Sequence, residues 1–311
     1  MSEYQCSPKT ALDNGVKSDR TLTHLKEVGM VDTNDYIYRF LNGNLGENRK
    51  HSEVVNKILA GYIDSDGTVS IHRNEGTLRI SLTLSQAAVN DPDFEILRAF
   101  HKFYGLGTLH FRFSDVEGES SRCDWKLSIA DTIKLFNLLG KHLIVKGTLL
   151  RDCIKLYEEN KGKKLSDAEY EVICNTRDTL RSSSGPLKRK KHPSWAWLAG
   201  YIAGDGHLCC RLNRKRRKYD KKVDKYYDMT YNELYVVIVS DIRGPLDFLM
   251  EHLNGSVYAV KDSYFQWKRS LGKGNLKFSE EFLSKLKPYM LHPKKYRAIQ
   301  RMLKHLRASR D

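Results

Sequence analysis

The sequence predicts an α+β fold built twice from one αββαββα unit, each unit presenting a four-stranded antiparallel sheet. Three observations predict it. Leu59-Ala60-Gly61-Tyr62-Ile63-Asp64-Ser65-Asp66-Gly67 returns as Leu198-Ala199-Gly200-Tyr201-Ile202-Ala203-Gly204-Asp205-Gly206, identical at seven of nine positions and 139 residues later (198 − 59). A period that long exceeds a solenoid repeat and suits a duplicated small domain. A second echo lies outside the nonapeptide: Asp124-Trp125-Lys126-Leu127-Ser128-Ile129 matches Gln266-Trp267-Lys268-Arg269-Ser270-Leu271 at an offset of 142 (267 − 125). Third, the hydrophobic pattern switches from a helical period to a period of two just after each nonapeptide. The division that follows is an N-terminal extension at 1–50, a first half at 51–165, a linker at 166–192 and a second half at 193–311.

Taken in order, Val31 to Leu41 is expected to form a short helix capped by Asp35. Ser52 caps a helix through Val54, Val55, Ile58 and Leu59 to Asp64. Each nonapeptide reads as the end of a helix, with Gly67 or Gly206 as a left-handed C-terminal cap. Thr68 to Arg73 alternates, Asn74-Glu75-Gly76 turns, and Thr77 to Gln86 is the clearest strand. There Leu78, Ile80, Leu82 and Leu84 share one face; Arg79, Ser81, Thr83 and Ser85 share the other. Asp91-Pro92 opens a second helix that stops at Gly105. Strands follow at Thr108 to Phe113 and Asp124 to Ile129, then helices at 132–139 and 148–157. Ser166 with Glu169 forms a capping box for a helix to Arg181. Ser182 to Lys191 breaks the pattern as a linker. The second half repeats the order: a helix from Trp195, strands at 208–212 and 231–240, a helix from Gly244-Pro245, strands at 257–260 and 266–271, and a last helix at 295–306.

The chain of 311 residues has 53 Lys+Arg against 38 Asp+Glu, a formal charge of +15. That excess points to a polyanion, either nucleic acid or an anionic membrane. No apolar run reaches membrane-spanning length and no signal-peptide pattern follows Met1, which favours nucleic acid. The six cysteines make no CxxC pair and no zinc spacing, so they read as thiols of a reducing compartment: organellar, bacterial, archaeal or phage.

Chemistry concentrates at the nonapeptides. Ala60, Gly61, Ala199 and Gly200 leave two helix surfaces nearly bare, which lets the backbones approach closely. Asp66 and Asp205 then meet at the negative ends of two helix dipoles, where carboxylates are unfavourable. A divalent cation is the obvious compensation. Asp64 faces Ala203 in the other copy and is expected to be structural.

Both nonapeptides resemble the signature of the LAGLIDADG homing endonucleases in their two-motif, single-chain form, over residues 51–311. The resemblance implies a monomer with internal pseudo-two-fold symmetry. In it the signature helices form the interface and Asp66 and Asp205 bind two or three Mg2+ ions, which Mn2+ or Ca2+ can replace. The carbonyls of Ser65 and Gly204 are expected to assist. The family places a basic residue just before the last helix of each half, here Lys146 and Lys294, with Lys295 as the neighbour that could take the second role. A polar residue at the end of the second strand falls on Gln86 and Asp241. The implied substrate is double-stranded DNA at a long, pseudo-palindromic site within an intron-homing cycle. Two alternatives share the fold: an RNA maturase acting on intron RNA, and a non-catalytic DNA-binding protein, which predicts lost acids. The Met-Ser-Glu start counts against an intein.

The DNA face follows from alternation, since an antiparallel ribbon fits the major groove. In the first half alternation gives Arg79, Ser81, Thr83 and Ser85, with His72, Arg73 and Arg112 beside them. In the second half the face comprises Arg211, Asn213 and Lys268. The cationic hairpin between Leu212 and Tyr226, with Arg214, Arg216 and Arg217, is expected to contact phosphates.

Overall fold

The computed structural model describes residues 4–5, 49–88, 94–114, 120–183, 192–220, 224–261, 264–272 and 276–309. The helix expected at 31–41, the Asp91-Pro92 helix start and most of the linker at 182–191 lie outside them.

A two-residue strand, β1 (Tyr4–Gln5), precedes the first half. That half runs α1 (Arg49–Asp66), β2 (Gly67–Asn74), β3 (Thr77–Ala87), α2 (Glu95–Tyr104), β4 (Thr108–Arg112), β5 (Arg122–Leu127), α3 (Ile129–Leu139) and α4 (Gly147–Asn160). Helix α5 (Asp167–Ser183) follows. The second half runs α6 (Trp195–Asp205), β6 (Gly206–Asp220), β7 (Lys225–Ser240), α7 (Gly244–Leu253), β8 (Ser256–Lys261), β9 (Tyr264–Ser270), α8 (Leu276–Leu286), a 3-10 turn at Lys287–Tyr289 and α9 (Pro293–Ala308). The sheet orders are β1-β4-β5-β3-β2 and β6-β7-β9-β8, antiparallel throughout. The first sheet therefore holds the four expected strands plus β1, drawn from the segment expected to be an extension.

Alternation decides the faces. Leu78, Ile80, Leu82 and Leu84 of β3 are all buried, while Arg79 is exposed. Trp125 and Trp267 are fully buried at matching sites. Each indole donates to a carbonyl at the end of the preceding helix connection, Leu106 O at 2.7 Å and Asn254 O at 2.8 Å. Buried indoles need such a partner, and both halves supply it in the same way. Glu75 and Gly76 turn β2 into β3 with φ of 50° and 80°, a two-residue turn whose twist matches the strands.

Within segment 166–192, read as a linker, the helix expected from Ser166 to Arg181 forms over Asp167–Ser183 and docks on the first half. The predicted capping box forms: Glu169 Oε2 accepts from Ser166 N at 2.8 Å, and Ser166 Oγ accepts from Glu169 N at 3.3 Å. Tyr170 Oη donates to Ile71 O at 3.3 Å.

The two nonapeptide helices pack backbone to backbone. A Cβ added at Gly61 would lie 1.9 Å from Trp197 O, and one at Gly200 would lie 1.9 Å from Ile58 O. Glycine at both crossing points is what allows the approach. Gly67 and Gly206, however, are not left-handed caps: Gly206 is extended at φ −83°, and Gly67 is not among the positive-φ glycines. Their role is again space. A Cβ at Gly67 would meet Ile63 O at 2.5 Å, and one at Gly206 would meet Ile202 Cα at 2.7 Å, because each strand folds straight back over its own helix.

Asp64, which has no carboxylate counterpart, is buried at 2 % exposure. Oδ2 accepts from Ile144 N at 2.7 Å and from the Trp197 indole at 2.8 Å, and Oδ1 accepts from Lys146 N at 2.7 Å. It therefore ties the start of α4 to α1 and joins the two halves. Gly61→Ala is expected to destabilise the protein by about 3 kcal/mol or more, since the obstructing atoms are backbone. Denaturant unfolding checks this, with Gly105→Ala, whose added Cβ meets nothing within 4 Å, as the comparison for a glycine cap alone.

Candidate active site

Helices α1 and α6 end side by side, and their last residues are Asp66 and Asp205. The two carboxyls lie within hydrogen-bonding reach of each other. Packing is tight enough that a Cβ on Gly204 would lie 2.9 Å from Asp66 Oδ2. Burial raises both acids; for Asp205, burial and then the Asp66 charge push it up to about 7. Two like charges this close hold a proton between them.

A lysine answers each helix end. Lys146 Nζ donates to Ile63 O at 3.1 Å and to Ser65 O. Lys295 Nζ donates to Ile202 O, Ala203 O and Gly204 O at 2.7, 2.6 and 2.9 Å. Both therefore cap orphan carbonyls and oppose the dipole's negative end. Burial lowers both ammoniums, Lys295 to about 8, against the pull of Asp66 and Asp205. The second lysine is thus Lys295, not the expected Lys294, which is exposed. His292 caps α9 and Pro293 occupies its first turn, so α9 starts earlier relative to its lysine than α4 does.

Two cavities flank the carboxylate pair. One, of about 360 Å³, is lined by Asp66, Asp205, Lys146, Ser240, Asp241 and Tyr264. The other, of about 350 Å³, is lined by Asp66, Gln86, Arg122, Gly204 and His292. Buried Gln86 leaves Oε1 without a hydrogen-bond partner among the described residues. Strand register pairs Gly67 with Leu84 and Gly206 with Ile238. Gln86 therefore corresponds to Ser240, and the expected Asp241 corresponds to Ala87. Asp241 still borders the cavity, but Arg181 of α5 holds it, Nη2 to Oδ2 at 2.7 Å. The carbonyls of Ser65 and Gly204 accept from the lysines, and each retains a second lone pair.

Among the described residues no three His, Cys, Asp or Glu cluster as a metal cage. Two carboxylates with backbone oxygens nearby, facing open cavities, are the donor set of a hard divalent cation that completes its shell with water.

The wet faces carry most of the expected residues. On the first, His72 pairs with Arg79, Ser70 with Ser81, Thr83 with Lys126, and Ser85 with Asp124. Buried Asp124 holds Arg112 at 3.3 Å and Arg122 at 2.7 Å. On the second, Arg211 lies 3.6 Å from Glu233, and Lys268 Nζ sits 4.1 Å from the Tyr235 ring centre. Arg73 is not on this face. It pairs with buried Leu78, donates to Leu165 O at 3.2 Å and Asp167, and lies over Tyr170, so it anchors α5.

The cationic hairpin is not a loop: β6 and β7 run on as a ribbon to Asp220 and Lys225. A bulge interrupts it, with Leu212 and Asn213 opposite Asn232; Asn213 has φ 56° and donates its N–H to Asn232 Oδ1 at 2.8 Å. Two residues against one exchange the faces of β6. Arg214 and Arg216 continue the wet face, whereas Arg217 turns to the other side and stacks on Tyr226 at 4.9 Å. Lys126, Arg122, Ser240, Arg177 and Arg181 were missed by sequence reasoning; cross-strand register to Trp125 and Trp267 is the signal that finds the first three.

No protein-family model and no curated protein sequence matches the chain. Solved structures do. The LAGLIDADG meganuclease I-AabMI, bound to uncleaved DNA, is 16 % identical with a TM-score of 0.56, over 82 % of this chain and 91 % of that one. The LAGLIDADG homing endonuclease I-GzeII, in complex with its DNA target, is 14 % identical with a TM-score of 0.56, over 82 % and 90 %. The LAGLIDADG meganuclease I-CpaMI, bound to uncleaved DNA, is 13 % identical with a TM-score of 0.54, over 82 % and 92 %. The chain has the LAGLIDADG homing-endonuclease fold, in its duplicated single-chain form.

Proposed function

We propose that this protein is a monomeric, metal-dependent DNA endonuclease that binds a long, pseudo-two-fold duplex site and hydrolyses one phosphodiester in each strand. The observation that carries the reading is the close-packed Asp66–Asp205 pair where the ends of the two nonapeptide helices meet. The neighbouring folds were solved on DNA, which supports a duplex as the partner.

Asp66 and Asp205 would hold Mg2+, with the carbonyls of Ser65 and Gly204 beside them. When bound, the metal supplies a water of lowered pKa and neutralises charge on the leaving oxygen. The chain's own groups do the rest. Lys146 and Lys295 place positive charge beside the pair, where a pentavalent phosphate gains negative charge. Gln86 on one side and Ser240 on the other offer hydrogen bonds to water or phosphate. Arg79, Arg112, Arg211, Arg214, Arg216 and Lys268 supply the phosphate and base contacts. Such contacts make binding fall steeply with salt, with a slope of about 0.9 per phosphate neutralised.

Asp66→Asn and Asp205→Asn are each expected to lower the cleavage rate at least about a hundredfold while changing duplex affinity little. Gel-resolved cleavage beside a mobility-shift titration checks this; unimpaired cutting by either variant removes the assignment. Lys295→Met is expected to slow cleavage about tenfold or more, and Lys294→Met less than about twofold. Equal losses would show that both lysines act only through general charge.

A pH test follows from the paired acids. Asp205 is raised from 3.8 to about 7, so the folded metal-free protein binds a proton that the unfolded chain releases. The stabilisation is full below about pH 4 and is lost as pH rises through about 7. A divalent ion binds the deprotonated pair. Mg2+ is therefore expected to raise Tm by about 2 °C or more at pH 8 and hardly at pH 5, and not at all in Asp205→Asn. Thermal unfolding at both pH values reads this without any cleavage assay.

A further inference from the structure

Helix α5 carries Arg177 and Arg181, four residues apart and hence on one face. Both line the cavity that contains Asp66, Asp205 and Lys146. Both also line an adjoining cavity of about 620 Å³, together with Asp178, Asp241, Ile242 and Arg243. Three guanidiniums thus border a continuous path to one side of the carboxylate pair.

The helix that delivers them is firmly placed. Its start is tied to β2 by Arg73 and by the Tyr170 hydroxyl, and its end reaches the second half through Arg181 and Asp241. That last pair is open to solvent, with Arg181 57 % and Asp241 49 % exposed. An exposed ion pair contributes little net stability, so it yields readily to another anion. A backbone phosphate can take the place of Asp241, because like a carboxylate it accepts both prongs of a guanidinium, and a DNA site presents many of them.

The cavity on the other side is built differently. Its arginine, Arg122, is tied to Asp124 at 2.7 Å and to Ser85 Oγ at 2.7 Å. Asp124 is only 1 % exposed, and a buried carboxylate does not give up its cation. Neither arginine of α5 lines that cavity.

We propose that Arg181, with Arg177 one turn earlier, is a phosphate-contacting arm that serves only the cleavage centre beside Asp241, so that one DNA strand depends on α5 for its cutting and the other does not. The inference rests on the DNA-cleaving reading above. The event is an exchange of ion partners: Asp241 releases Arg181 to a backbone phosphate, and no covalent bond changes. Arg181 would touch substrate, whereas Arg73 and Asp167 act through it by holding α5.

The test uses the full chain with Mg2+ and a duplex selected by the wild-type protein from a randomised pool, end-labelled on each strand in turn. Arg181→Gln is expected to slow nicking of one strand about tenfold or more and the other less than about twofold, with Arg181→Lys intermediate. Its affinity for an unrelated duplex should show a salt slope shallower by about 0.9. Arg177→Gln, whose near ion-pair partner is Asp178 of its own helix, should slow the same strand. Equal slowing of both strands with a fallen Tm would make Arg181 a clamp between halves and overturn the proposal. No slowing of either strand would overturn it too. If the wild-type protein cuts no selected duplex, the endonuclease reading falls first and takes this inference with it.

Discussion

The structure depends on one contact between two bare stretches of helix backbone. Gly61 and Gly200 each sit under a carbonyl of the opposite helix, where a single methyl group would collide. That closeness sets the distance between the ends of α1 and α6. The sheets diverge from those ends, so the same contact fixes how the two wet faces meet. It also forces Asp66 and Asp205 together, against both their own repulsion and the helix dipoles.

The electrostatic answer is local. Lys146 and Lys295 reach the last carbonyls of the two helices and lie beside both acids. Two carboxyls and two lysine ammoniums crowd into one site, with groups of opposite sign side by side. Incoming cations find carboxylates, and incoming phosphates find ammoniums. Such an arrangement needs little reorganisation when charge develops.

Much of this was legible in the sequence because it rests on period and repetition. The nonapeptide echo locates the acids, and the alternation of Leu78 to Leu84 locates the faces. What was not legible involves events that alternation cannot record. The bulge at Asn213 exchanges the faces of β6, so Arg214 and Arg216 rather than Arg217 continue the face of Arg211. The strand period puts Arg73 on the face of Val69 and Ile71, but it does not show that α5 covers that edge, because α5 docks through contacts nearly a hundred residues apart in the chain. The choice between Lys294 and Lys295 turns on where a helix begins, and there His292 and Pro293 decide. Gly67 and Gly206, expected as left-handed caps, instead leave room where each strand passes its own helix, a packing role that a cap pattern does not show.

The bond between Asp64 and the Trp197 indole has no mirror image. The positions that correspond to them, Ala203 and Ile58, are apolar and buried. Two copies of the first half would therefore set each Asp64 against Ile58 and bury a pair of carboxylates with no indole to satisfy them. Two copies of the second half would leave the indoles of Trp197 facing Ala203 without an acceptor. Each half is thus matched to its sibling and mismatched to itself, so fragments expressed from a split gene would reassemble as unlike pairs.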